Sequence, residues 1–515
     1  MNAPAFPRTF SPSASPLDEA LRHLGIMQRA PSSWVDSPRL APMPRGPGRH
    51  PAPPPEPPRG VRGPWPQRAV VDPDFYAPVL NVPLEDRADH VRGIVSRYLR
   101  QLVTEAPAAV QRALHGPRLV RVDDAAFTAT LTETSLGQFV RPVDARDLPA
   151  TFASHAAAPE GLALADFSFA PTDTLLPDMF AAPVLVLLRA EEGRWRTRAI
   201  AVDGRAVAPD EGDTWELAKW FALQGASLRL VTSEHPRLHF PADVIHAVTR
   251  SVLPRHHPVY RLIRPHTRYT LGLHEAVIHH GRSSIHNSQR EVYNGFPYTT
   301  EGMHRMVASG RVGVEGNARW PAWRYGDHFV GGHVPYGRYR RAWLDAWTGF
   351  AAEMLAQVPR GDAKVRAWAD HIAAWLPGFP DGRAIFEDGA LAGAVATWLC
   401  TVTTFHTGDH HSYAAIPLEH APLRLRARMP AAGPVGPLDP GALVSPEDSF
   451  RHAMAHAMFF RPGVITSLRD VAYDVADARE RRAVARWDAA MDALDARWAG
   501  SGFPRADEIA SGVHY

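Results

Sequence analysis

Two pairs of histidines stand out in this 515-residue chain because the members of each pair are four positions apart. The first pair is His235 and His239, and the second is His406 and His410. Residues four apart lie on one face of an α-helix, so each pair could direct two imidazole rings at one point. Neutral imidazole is a good ligand for zinc, copper, iron and nickel. The spacing therefore indicates either a metal centre or ordinary core and surface histidines, and it leaves both interpretations open.

The cysteine content restricts the other sites that the chain can build. Cys400 is the single cysteine. An intramolecular disulfide needs two cysteines and is excluded, and a single cysteine disfavours a structural thiolate zinc site, which typically has two to four. A lone thiol is typical of a reducing compartment, and we expect a cytoplasmic protein.

Composition and charge exclude further classes of function. Lysine and arginine number 56 against 54 aspartates and glutamates, so no excess of positive charge favours nucleic acid as a partner. Hydrophobic residues make up 45% and charged residues 21%, which is ordinary for a soluble globular protein. We find no secretory signal and no apolar run of the roughly 18 residues that a transmembrane segment needs.

The elements that must position the histidines are mainly helical. Apolar residues recur at helical spacing, whereas 182–189 and 197–203 flank a Glu-Glu-Gly turn and predict a β-hairpin. Pro236 and Pro241 predict a kink or break in any helix through His235. Residues 1–68 carry 17 of the 49 prolines and predict a disordered or extended leader ahead of one domain over 69–515. Helices are predicted at 86–114, 215–223, 242–252, 336–356, 364–375, 390–406 and 471–498.

Several motifs, in one order, resemble the lipoxygenase family from roughly residue 123 to residue 515. The most specific is HPVYRLIRPHTR at 257–268, preceded by WELAK at 215–219 and followed by IASGVHY at the end of the chain. The resemblance implies a lipoxygenase-like helical catalytic domain over 69–515, with a small β-hairpin subdomain. No segment resembles the β-barrel domain that many eukaryotic members carry first, and we expect a divergent member without it.

The resemblance also implies a set of metal ligands. His406 and His410 match two ligand positions of the family, and the main-chain carboxylate of Tyr515 matches its terminal ligand. His235 and His239 match the two ligands of the central helix, with one residue deleted between them. The family's spacing of five requires a π-bulge between the two ligands, whereas a spacing of four suits a plain α-helix.

Two other interpretations of the metal site remain open. Glu234 could replace one histidine and give a set closer to two histidines and a carboxylate. Alternatively, Pro236 could distort the site so that it holds little metal.

The resemblance implies a non-haem iron dioxygenase. Its substrates would be dioxygen and a polyunsaturated fatty acid or related polyene, and its product would be a hydroperoxide. Arg268 is a candidate partner for a substrate carboxylate or for a structural ion pair. Val277 stands where the family has a small residue that bears on oxygen access. The alternative is a lipoxygenase-fold protein without dioxygenase activity, with a binding or accessory role in biosynthesis, and the sequence does not indicate the oligomeric state.

Overall fold

The computed structural model of this chain describes most of the sequence from residue 84 onward. The described residues are 66–68, 78–80, 84–155, 160–169, 174–273, 294–300, 302–303, 306, 324–326, 333–374, 376, 378–460 and 466–514. The predicted leader, apart from its last three residues, lies outside this set. Residues 66–68 form a short strand that pairs with residues 78–80.

The body is mainly α-helical, as the sequence predicts. Its helices are α1 (Leu84–His90), α2 (Ser96–His115), α3 (Asp124–Glu133), α4 (Asp213–Arg229), α5 (His235–Val252), α6 (Pro258–Ile263), α7 (Pro335–Leu355), α8 (Ala363–Ala373), α9 (Ala390–Cys400), α10 (His406–Ala415), α11 (Pro440–Leu443), α12 (Pro446–Ala455) and α13 (Ala478–Arg497). Four π-helical turns adjoin them at Val91–Val95, Leu230–Glu234, Thr401–Phe405 and His456–Phe460. None of the described helices combines the length and apolar content that a bilayer crossing requires.

The sheet is larger than the predicted hairpin. The described strands are β1 (Pro66–Arg68), β2 (Pro78–Leu80), β3 (Val140–Pro142), β4 (Leu162–Phe167), β5 (Val184–Glu191), β6 (Arg194–Val202) and β7 (Arg205–Val207). The predicted hairpin is β5 and β6, and the residues of its turn, Glu192 and Gly193, have φ angles of 50° and 78°. A two-residue hairpin turn of this kind needs positive φ at both positions. β3, β4 and β7 complete an antiparallel five-stranded sheet in the order β3-β4-β5-β6-β7.

The main core lies where α5, α7, α9 and α13 meet, and it is rich in tryptophan. Trp343 and Trp347 of α7 contact Trp487 of α13, with ring centroids 6.2 and 4.1 Å apart. All three tryptophans are buried. Rings of this size bury a large apolar area, so this contact holds α7 against α13 within a core that also includes α9.

The predicted helices are present, but some boundaries were wrong. The helix predicted over 471–498 begins only at Ala478, where the Asp477 side chain accepts backbone N–H groups of the first turn. The helix predicted to end at residue 406 continues through the π turn at Thr401–Phe405 into α10.

The helix is not broken at the two prolines, where a kink or break was predicted. α5 is continuous from His235 to Val252 and contains both Pro236 and Pro241. Pro236 lies in the first turn of α5, immediately after the π turn at Leu230–Glu234. Pro236 is accommodated where the hydrogen-bond pattern already changes from the wider π spacing to the α spacing, so the regular ladder is interrupted there in any case.

Candidate metal centre

Each histidine pair begins where a π turn ends. His235 follows the π turn at Leu230–Glu234, and its backbone N–H donates to the Leu230 carbonyl, five residues earlier. His406 follows the π turn at Thr401–Phe405 in the same way, and its N–H donates to the Thr401 carbonyl. Within each pair the two histidines are one ordinary α-helical turn apart, on α5 and on α10. The spacing of four therefore places both rings of a pair on one face of a plain α-helix, as predicted, and the π turn precedes each pair instead of lying between its two histidines.

The four rings converge on one point through their Nε2 atoms. His239 Nε2 lies 2.9 Å from His235 Nε2 and 2.9 Å from His406 Nε2. His410 Nε2 lies 3.3 Å from His406 Nε2, and one nitrogen from each of the four residues lies within 4.8 Å of the others.

These distances fit a bound cation better than hydrogen bonds. A ring nitrogen carries either one proton or one lone pair, so His239 Nε2 cannot bond to both neighbours at once. Two nitrogens bound at right angles to a metal, with bonds of about 2.1 Å, lie about 3.0 Å apart. The residues present therefore fit a transition metal with imidazole ligands.

The electrostatics favour neutral rings, which have lone pairs available for a metal. Burial lowers the pKa of His235 to about 4. Burial also lowers the pKa values of His406 and His410 well below the usual range, and the other histidines of the cluster add to this effect. We therefore expect the imidazoles of His235, His406 and His410 to be unprotonated at neutral pH.

Comparisons with known proteins identify the architecture. No family model and no curated protein matches the sequence. Among solved structures, the manganese lipoxygenase of Gaeumannomyces graminis matches with a TM-score of 0.66 at 15% identity, over 97% of this chain and 97% of that one. The chain has the lipoxygenase fold.

Two further structures have the same fold. A coral 8R-lipoxygenase matches with a TM-score of 0.62 at 16% identity, over 84% of this chain and 74% of that one. A lipoxygenase solved anaerobically in complex with arachidonate matches with a TM-score of 0.67 at 15% identity, over 87% of this chain and 79% of that one. Such low identities explain why the relationship is visible in the fold rather than across the whole sequence.

In this lipoxygenase fold, a buried polar network supports α10 behind the histidines. Asp409 accepts a hydrogen bond of 3.2 Å from the Gln138 side chain and one of 3.3 Å from the Tyr336 hydroxyl. Arg340 donates to Gln138 over 3.0 Å, and its guanidinium lies 3.9 Å from the centre of the Phe405 ring. Burial raises the pKa of Asp409 to about 7, although Arg340 opposes this effect. The network links α10 to α7 and fixes the orientation of the helix that carries His406 and His410.

The C-terminal segment lies beside the same helix. The Ala510 N–H donates to Thr407 Oγ1 over 3.0 Å, one residue after His406. His266 is fully buried, and its Nδ1 lies 2.7 Å from the Ser511 carbonyl, which can only accept. The Tyr473 hydroxyl lies 3.1 Å from the other ring nitrogen of His266. These contacts bring the last residues toward the metal centre, although Tyr515 itself lies outside the described residues.

The structure separates the other candidate residues from the histidine cluster. Glu234 forms ion pairs with Arg237 at 3.0 Å and Arg229 at 3.9 Å, and it does not belong to the group that could hold a metal. Arg268 donates to Asp89 over 2.9 and 3.2 Å, so it forms the structural ion pair that was one of its two predicted roles. Val277 lies outside the described residues, and its role in substrate binding stays a prediction.

A surface cavity of about 430 Å³ lies between α2 and the end of α10. Tyr413 of α10 connects this region to the cluster, because its ring centroid is 4.4 Å from that of Phe460, which is 5.7 Å from that of His410. The cavity is lined by Glu105, Ala108, Ala109, Arg112, Ala414, Ile416, Pro417, Leu418, Glu419, Ala453, His456 and Ala457.

Sequence reasoning missed the residues that support the site. Asp409 sits between the two ligand candidates of α10, yet its partners Gln138 and Tyr336 are 271 and 73 residues away. His266 belongs to the most specific motif, at 257–268, but nothing in the sequence indicated its contact with Ser511. Local sequence carries no information about such distant pairings.

Proposed function

We propose that this protein is a non-haem iron dioxygenase of lipoxygenase type. The observation that carries the proposal is the convergence of His235, His239, His406 and His410, from two helices, at one point within a lipoxygenase fold. We further propose that the Tyr515 carboxylate is the fifth ligand, because residues 510–511 are held beside α10. When bound, the metal would supply the one-electron chemistry that removes a hydrogen atom from the methylene between two double bonds.

The substrate that we propose is a polyunsaturated fatty acid or a related polyene. One solved neighbour with this fold holds arachidonate, which is a polyunsaturated fatty acid. The cavity beside α10 has a volume of about 430 Å³, which is in the range of ligand pockets, and many of its lining residues are apolar. Dioxygen would add to the carbon radical of the substrate to give a peroxyl radical, and return of the removed hydrogen atom as one electron and one proton would give the hydroperoxide.

The neutral histidines are suited to hold the metal without adding charge. Phe460 packs within 6.5 Å of His235 and 5.7 Å of His410, centroid to centroid, and shields this side of the cluster from water. Exclusion of water protects a reactive carbon radical from side reactions. We also propose a cytoplasmic location, in line with the single cysteine, which is buried.

Metal analysis and oxygen uptake test the proposal. We expect the purified chain to contain one iron per molecule and to consume oxygen with arachidonate or linoleate, with a conjugated diene hydroperoxide as product. His406→Ala should lose both metal and oxygen uptake. Because one neighbour is a manganese lipoxygenase, the metal-free protein should be reloaded separately with iron and with manganese. A protein that is fully loaded with either metal but consumes no oxygen with any polyene would instead support an accessory role.

A further inference from the structure

Helix α2 carries an unusual stripe of exposed apolar side chains. Across the described part of the chain, the large hydrophobic residues that are exposed are Leu99 (51%), Val103 (73%), Val110 (42%) and Leu114 (64%), and all four belong to this one helix. Scattered exposed apolar residues need no explanation, but a contiguous set marks a surface that binds something.

The four residues form one continuous ridge. They follow one another at intervals of four, seven and four positions, which places them within an arc of about 60° around the helix. The neighbouring arc faces the protein, where Ala109 is buried and Tyr98, Leu102 and Ala106 pack against Met454 and Met458. The apolar face of α2 is therefore wider than the part that packs against the rest of the protein, and the ridge is the part left exposed.

The charges around the ridge indicate the kind of partner. Arg92 and Arg100 are exposed next to it. Glu105 is the single acidic residue of α2, and it lies on another side of the helix, where it lines the cavity together with Arg112. Both of these flanking charges are positive, so an anionic partner would pair with both of them.

We propose that α2 is a docking surface for anionic lipid membranes. The helix would lie parallel to the membrane, with the ridge of Leu99, Val103, Val110 and Leu114 in the acyl region. Arg92 and Arg100 would contact lipid phosphates at the rim. An amphipathic helix with an apolar face and basic flanks binds at the membrane interface in this way. The surface is separate from the metal centre, so its binding can be measured without any catalytic activity.

Sedimentation of the full chain with vesicles tests the proposal. We expect binding to mixed phosphatidylcholine and phosphatidylglycerol vesicles and weaker binding to phosphatidylcholine alone. The variant L99Q/V103T/V110T/L114Q should bind at least about tenfold more weakly, because four apolar side chains leave the lipid. The variant R92Q/R100Q should bind the anionic vesicles about tenfold more weakly, and its binding to phosphatidylcholine alone should change little. As a matched control, T104A/Q111A changes exposed polar positions of the same helix and should bind like the unchanged protein.

A fluorescent probe locates the contact and separates the other occupants. Cys400 is buried, so Val103→Cys can be labelled selectively with a dye whose emission depends on polarity. We expect its emission to shift to shorter wavelength with anionic vesicles, while the same dye on Ala489→Cys, at an exposed position of α13, stays unchanged. The proposal is overturned if the ridge variant binds vesicles like the unchanged protein or if the full chain does not bind them. It is also overturned if the Val103 probe is already shielded without lipid. If that shielding increases with protein concentration, the ridge binds a second copy of the chain. If it disappears when residues 1–65 are deleted, the ridge binds that segment.

Discussion

At the scale of single residues, the metal centre depends on which side chains have a free lone pair at the right place. The imidazoles of His235 and His239 face those of α10, whereas the Glu234 carboxylate is engaged by Arg237 and Arg229. A carboxylate held by two arginines has little tendency to move to a metal. The geometry thus supports the interpretation with four histidines over the one with Glu234.

Metal content of three variants tests this assignment. We expect His235→Ala and His239→Ala to lose most of their metal, because each removes an imidazole that no other described residue replaces. Glu234→Ala should retain metal, although loss of its ion pairs should lower the stability. Metal analysis of proteins purified in parallel gives the answer, and loss of metal in Glu234→Ala alone would reverse the assignment.

Gly408 is a second residue on which the site depends. It lies between His406 and His410, and a Cβ added there would lie 2.6 Å from the Tyr336 hydroxyl oxygen. We expect Gly408→Ala to push α10 away from α7, to lower the free energy of unfolding by roughly 1–3 kcal/mol and to weaken metal binding. Gly393→Ala in α9 is the control, because a Cβ there meets nothing within 4 Å. Equal metal content in both variants would show that the close approach is unimportant.

At the scale of elements, the C-terminal segment is held by three parts of the chain. Ser511 donates its N–H to the Thr466 carbonyl over 2.9 Å, and Leu468 donates to the Ile509 carbonyl over 2.6 Å. Thr407 and His266 hold the same segment from α10 and from the turn after α6. Residues 509–511 are therefore tied at several points beside α10, as the proposed ligand role of Tyr515 requires.

His266 should therefore act as a positioning residue for the end of the chain. We expect His266→Ala to release residue 515 faster to carboxypeptidase and to contain less metal, because the Ser511 carbonyl loses its buried donor. His266→Asn keeps an N–H donor near the position of Nδ1 and should restore much of both properties. If His266→Ala resists carboxypeptidase as the unchanged protein does, the C-terminal segment is held in place without this residue.

At the scale of the whole molecule, one buried ion pair joins the motif at 257–268 to α13. Arg261 donates to both carboxylate oxygens of Glu480, over 2.8 and 2.7 Å, and both side chains are buried. Glu480 also accepts the Ala476 N–H over 2.6 Å. A carboxylate that arginine binds at two points has one preferred geometry. The pair therefore fixes the position of the 257–268 segment against α13.

Removing one partner of this pair should destabilise the whole domain. We expect Glu480→Gln to lower the free energy of unfolding by about 3–5 kcal/mol, because it leaves the buried Arg261 charge without compensation. The hydrogen bonds from Arg261 hold the pKa of Glu480 below its usual range. The contribution of the pair is therefore present above the usual glutamate pKa and is lost as the pH falls through the lowered value. Urea unfolding at several pH values measures both effects. If acid lowers the free energy of unfolding by the same amount in Glu480→Gln as in the unchanged protein, the assignment is contradicted.

The helical class, the β5–β6 hairpin and the two histidine pairs follow from the sequence alone, because periodicity and short spacing are local properties. The motif at 257–268 likewise indicates the lipoxygenase fold from its residues alone. That the two pairs share one centre depends on tertiary packing, since His239 and His406 are 167 residues apart. The same holds for the contacts of Asp409 and of His266. Each of these depends on which distant segment packs against a residue, and local sequence does not encode that.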